Sequence, residues 1–83
     1  MKGTHVNEEA IRQIKACIEA HRQEALGAKE VVARLGRLQR SAKSGQPFSQ
    51  ADIVALSQAN DALNRAEVDA NTQIIALANS LFE

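Results

Sequence analysis

Ser44-Gly45-Gln46-Pro47-Phe48-Ser49 is the stretch that decides the fold of this 83-residue chain. It contains the only proline of the sequence and separates two long segments of helix-forming residues. Glycine followed two residues later by proline is a typical helix stop signal. A connection this short makes two long helices fold back on each other. The sequence therefore predicts an antiparallel α-hairpin with its turn at 44–49, in a single domain of 1–83 with a frayed N-terminus at 1–6.

Capping residues mark the start of each predicted helix. Ser49 and Asp52 have the spacing of a capping box, in which the side chain of each residue bonds the backbone N–H of the other. Asn7 is a favourable N-cap for the first helix, because its side chain can accept a hydrogen bond from the first turn. The predicted all-α fold therefore has long helices at about 8–44 and 50–82.

Apolar residues recur along both predicted helices with alternating spacings of three and four. This period is typical of coiled coils and predicts a seam between the two helices. Polar residues within such a seam cost stability but fix register or oligomeric state. The predicted seam of the first helix is Ile11, Ile14, Ile18, His21, Ala25, Ala28, Val32, Leu35, Gln39 and Ala42. The predicted seam of the second helix is Ile53, Leu56, Asn60, Leu63, Glu67, Ala70, Ile74, Leu77 and Leu81.

Further apolar residues lie outside this predicted seam. Examples are Cys17 and Val31 in the first helix and Val68 and Ile75 in the second. The apolar faces are therefore too wide for a hairpin alone, and they suit helices inside a bundle. The sequence predicts that two hairpins form a homodimeric four-helix bundle. A different protein is the alternative completion.

Few residues of the chain suggest catalysis or metal binding. Cys17 and His21 are one helical turn apart, which is the spacing of a nucleophile and its base, or of half a metal site. The simpler interpretation is that Cys17 is a small core residue and that His21 is a polar residue tolerated in the seam. No CxxC or HExxH spacing is present, and Glu67 alone is a weak candidate for an acid. We therefore predict no enzymatic activity, no cofactor, no metal ion and no small-molecule substrate.

The net charge of the chain is zero, but its charges are unevenly placed. Residues 1–44 carry nine basic and five acidic groups, and residues 45–83 carry one basic and five acidic groups. The absence of a net positive charge disfavours nucleic acid as a partner. Four basic side chains nevertheless lie on successive turns at the end of the first predicted helix. There they complement the helix dipole or bind an acidic partner. They are Arg34, Arg37, Arg40 and Lys43.

Composition also predicts the compartment. A single Cys permits no internal disulfide. The chain has neither the apolar run of a signal peptide nor one that could span a membrane. These features predict a soluble, cytoplasmic protein without a membrane partner.

In length and helix–turn–helix outline the chain resembles small type III secretion co-chaperones and needle subunits. It also resembles RNA-binding four-helix plasmid regulators and small phage-encoded inhibitors. The turn carries Pro47 alone, whereas needle subunits normally have two closely spaced prolines there. The resemblance lies in the architecture and assigns no role to any residue.

The predicted function is a non-enzymatic protein–protein interaction module, such as a small adaptor, co-chaperone or inhibitor. It presents helical faces to a second copy and to another protein. The alternative is an RNA- or DNA-binding four-helix-bundle regulator that uses the basic face near the hairpin tip. The predicted partner-binding residues are Arg34, Arg37, Arg40, Lys43, Phe48, Val54, Val68, Ile75 and Phe82.

Overall fold

A computed structural model describes the backbone of residues 2–82 and the side chains of residues 8–82. Two helices, α1 (Lys2–Lys43) and α2 (Gln50–Phe82), pack against each other along their lengths, and the described backbone holds no strand. The predicted all-α hairpin with its turn at 44–49 is confirmed. Within residues 2–82, neither helix is long and apolar enough to cross a membrane.

Helix α1 begins at Lys2, six residues before the predicted start. No proline interrupts residues 2–7, so the helix continues through Asn7, which consequently has no capping position. The side chain of Asn7 and the whole of Met1 lie outside the described residues. The fraying predicted for 1–6 therefore stays a prediction.

The end of α1 is a Schellman motif. Gly45 donates its backbone N–H to the carbonyl of Ala42 at 3.2 Å, and Gln46 donates to the carbonyl of Ser41 at 3.0 Å. Gly45 has a φ of 72°, a left-handed conformation that a Cβ would strain. The glycine thus provides the stop that the sequence predicts.

The start of α2 is capped by Ser49. Its Oγ accepts the backbone N–H of Asp52 at 3.4 Å, which is one half of the predicted capping box. The carboxylate of Asp52 instead approaches Arg37 across the turn, with Oδ1 3.6 Å from Nη1. Asp52 therefore ties the start of α2 to the last turns of α1.

The seam between the helices has the predicted period, but its phase is wrong. In α1 it lies one residue earlier than predicted, and in α2 every second predicted position is displaced in the same way. The core consists of small residues, and the buried ones among the described side chains are Cys17, Ala20 and Ala70. The buried and half-buried seam positions of α1 are Ala10, Gln13, Cys17, Ala20, Glu24, Gly27, Val31, Arg34, Leu38 and Ser41. Those of α2 are Asp52, Ala55, Leu56, Ala59, Leu63, Ala66, Ala70, Gln73 and Leu77.

Close approach of the two backbones explains this phase. A Cβ on Gly27 would lie 3.4 Å from Leu63 Cδ1 and 3.5 Å from Leu63 Cα. Small residues allow helices to approach this closely, whereas Ile or Leu at the same positions would hold them apart. The larger aliphatic side chains are consequently placed at the edge of the seam or outside it.

Candidate interaction surface

Eight large aliphatic side chains that the sequence assigned to the seam are exposed instead. Their exposure runs from 42% at Ile14 to 66% at Val32. Hydrophobic side chains of this size normally lose most of their accessible area on folding, so an exposed group of eight requires an explanation. We call this group the apolar face. It consists of Ile11, Ile14, Ile18, Val32 and Leu35 of α1 and Ile53, Ile74 and Leu81 of α2.

Two shallow grooves show that the two helices contribute to one side of the hairpin. Near the turn, Leu35 of α1 shares a groove with Ile53 of α2. Near the chain ends, Ile18 and His21 of α1 share a groove with Ile74 of α2. The apolar face is therefore one surface that runs along the hairpin and crosses from helix to helix.

The hairpin by itself exposes more surface than a compact monomer of the same mass. The chain exposes 6426 Å². A compact monomer of the same mass exposes about 4,900 Å², so the hairpin leaves about 1,500 Å² more than a globular protein would. Its radius of gyration of 18.9 Å compares with about 12 Å for a compact chain of this length.

The polar residues near the apolar face differ in burial and in hydrogen bonding. His21 Nδ1 lies 2.8 Å from the backbone oxygen of Cys17, so this nitrogen donates to the carbonyl and holds the ring against its own helix. The Cys17 side chain is buried in the seam. Asn60 and Glu67 are exposed on α2. Among the described residues, no three His, Cys, Asp or Glu side chains are grouped as metal ligands would be.

A second apolar surface follows the outer side of α2. Val54, Val68, Ile75 and Phe82 are spaced by seven or fourteen residues, midway between seam positions, so they point away from α1. All four are exposed, Phe82 to 92%. Phe48 in the turn is also more than half exposed. We call the four α2 residues the outer line.

The four predicted cations do not form one free patch. Arg34 Nε donates to Glu30 Oε1 at 2.8 Å, and Arg37 pairs with Asp52. Arg40 and Lys43 have no carboxylate partner among the described residues. The three arginines line one surface depression together with Glu30, so an acid lies inside the predicted basic face.

Sequence reasoning missed the apolar face because it assigned the largest side chains to the seam inside one chain. A signal for the true phase was present in the small residues. Cys17, Ala20 and Gly27 are spaced by three and seven residues in α1, and Ala55, Ala59, Ala66 and Ala70 are spaced by four, seven and four in α2. Such series indicate close helix contact, and they leave the larger residues for another surface.

The fold and this surface together define a small all-α protein: a two-helix hairpin with one unpaired apolar face. No family model, curated protein or solved structure matches the chain.

Proposed function

We propose that this protein is a non-enzymatic protein-interaction module whose helical faces dock onto other helices. The observation that carries the proposal is the apolar face, which is exposed on both helices at once. Exposed apolar surface on this scale is typical of an interface. The first occupant that we propose is a second copy, which completes a four-helix bundle.

The dimensions of the hairpin suit such a dimer. The Cα atoms extend over 67 × 16 × 14 Å. Covering one long face removes on the order of 1,000 Å² from each copy, which is enough for a specific interface of about 1,200–2,000 Å² in total. The same burial removes much of the excess surface that the isolated hairpin exposes.

A dimer that uses the apolar face leaves the outer line open for another protein. The outer line points away from α1 and therefore lies on the outside of the bundle. An adaptor, co-chaperone or inhibitor would present this line to its target, with Phe48 at the end of the bundle. A few well-buried side chains usually supply most of the binding energy in such interfaces.

Nucleic acid suits this surface less well than protein. Carboxylates within the chain already neutralise Arg34 and Arg37. The sequence has no Trp or Tyr to stack on bases. Retention of nucleic acid that falls steeply with salt would contradict the proposal, because that slope counts phosphate contacts.

The test compares Ile18→Asp with Ile75→Asp. Ile18 belongs to the apolar face and Ile75 to the outer line, and both are more than half exposed in the hairpin. Sedimentation equilibrium should give a dimer of the 9.0 kDa chain for the wild type and for Ile75→Asp. Ile18→Asp should be monomeric, because its carboxylate would be desolvated in the dimer.

Circular dichroism provides the control for this comparison, since both variants should remain helical. A wild-type chain that is monomeric over the whole micromolar range would overturn self-association. Equal loss of dimer in the two variants would show that the apolar face is not the interface.

A further inference from the structure

We propose that the second copy packs with its turn at the same end of the bundle, so that α1 of each copy lies on α2 of the other. This inference rests on the proposed self-association and specifies its geometry. The reversed alternative places each turn beside the chain ends of the other copy. It stacks α1 on α1 and α2 on α2.

The two helices have a defined register within one hairpin. Gly27 lies beside Leu63, and Arg37 lies beside Asp52. Residues whose numbers add up to about 90 are therefore level along the hairpin. Ile18 and Ile74, which share a groove, follow the same rule to within a helical turn.

Large residues of the two helices stand at the same levels on the apolar face. Near the chain ends, Ile11 and Ile18 are level with Leu81 and Ile74. Near the turn, Leu35 is level with Ile53. When the second copy has its turn at the same end, α1 lies on its α2 and these levels coincide. Large aliphatic side chains of the two copies then pack against each other.

Glu67 also fits this arrangement. His21 and Ala25 of one copy are nearly level with Glu67 of the other, so the carboxylate meets a small residue and an imidazole. In the reversed dimer, full overlap places the two-fold axis near Leu26.

The charges of the two helices favour the same arrangement. The half of the chain that holds α1 has four more basic than acidic groups, and the half that holds α2 has four more acidic than basic groups. Packing α1 on α2 sets opposite charges side by side, which stabilises one helix orientation over the other.

The reversed dimer has the opposite electrostatics. Arg22 and Lys29 flank the apolar surface around Leu26 on α1. With a two-fold axis near Leu26, each of these cations would lie over the other in the second copy. Four cations would then lie close together beside the middle of the interface, at a cost in free energy.

The test measures one distance between two spin labels. Gln46 is exposed in the turn, and a label at Gln46→Cys in a Cys17→Ala background reports the separation of the two turns by pulsed dipolar spectroscopy. The proposed dimer gives about 15–30 Å, because both turns end one bundle of helices packed 8–10 Å apart. The reversed dimer gives about 50 Å or more, since roughly 35 residues at about 1.5 Å each separate its turns.

A matched label at Ala62→Cys serves as the control. Ala62 is exposed near the middle of the hairpin, so its label should give a short distance in both arrangements. A short distance at Ala62 with a long one at Gln46 would overturn the proposed orientation and leave self-association standing. No dipolar signal at either position, with a monomer by sedimentation, would overturn both.

Discussion

Gly45 and Gly36 both lie near the end of α1, but they differ in backbone conformation and in their surroundings. Gly45 has a φ of 72°, and its carbonyl-capping bonds depend on that conformation. Gly36 lies inside the helix, where a Cβ would meet only the end of the Arg40 side chain at 3.6 Å. The first glycine is required by the backbone, whereas the second lowers helix stability without a steric need.

Alanine substitutions at these two positions should therefore have opposite signs. Gly45→Ala should lower the free energy of unfolding by about 1 kcal/mol, because L-residues are strained in the left-handed region. Gly36→Ala should raise it by up to about 1 kcal/mol through helix propensity. Chemical denaturation at one fixed protein concentration measures both, and shifts of the same sign would contradict this explanation.

The positions of the four basic side chains were predictable from the sequence, but only some of their ion pairs were. The spacing of the four cations placed them on the last turns of α1, which is where they lie. The pairing of Arg34 with Glu30 follows from ordinary i to i+4 geometry and was open to prediction. The pairing of Arg37 with Asp52 depends on how the turn brings the two helices together, which no local spacing specifies.

The start of helix α2 depends on neighbouring residues, whereas its buried face depends on contacts with α1. Its start was predictable, because Ser49 caps through its own side chain and needs no distant contact. Its buried face was not, since the same three-and-four spacing fits two adjacent stripes. The choice between them depends on how closely α1 approaches, as at Gly27 and Leu63.

Removing the cap of α2 should destabilise the whole hairpin. Ser49→Ala deletes the oxygen that accepts the Asp52 N–H and should cost about 1 kcal/mol of unfolding free energy. Ser80→Ala is the matched control, because Ser80 is exposed in the last turn of the same helix. Thermal melts followed by circular dichroism should separate the two, and an equal effect would show that Ser49 contributes no cap.

At the scale of the whole molecule, the sequence predicted more apolar surface than one hairpin can bury. That prediction agrees with the apolar face, although the stripe left uncovered is the one that had been assigned to the seam. Composition explains the difference. Alanine accounts for 15 of the 83 residues, and it is this alanine that lets the intramolecular seam form without the Ile and Leu side chains.

Thermal stability should consequently depend on protein concentration. If association buries the apolar face, mass action raises the melting temperature as the chain becomes more concentrated. The melting temperature of Ile18→Asp should be lower and nearly independent of concentration. A wild-type melting temperature that stays constant over a hundredfold dilution would contradict coupled folding and association.

The short turn between the Schellman motif and the Ser49 cap also has a kinetic consequence. The ion pair of Arg37 with Asp52 closes a short loop, whereas bringing Ile18 and Ile74 to their shared groove closes one almost four times as long. Each doubling of loop length adds about 0.6 kcal/mol of closure entropy. The hairpin should therefore zip from the turn towards its ends. Amide hydrogens near the chain termini should exchange first, and those beside the turn should be protected earliest during refolding.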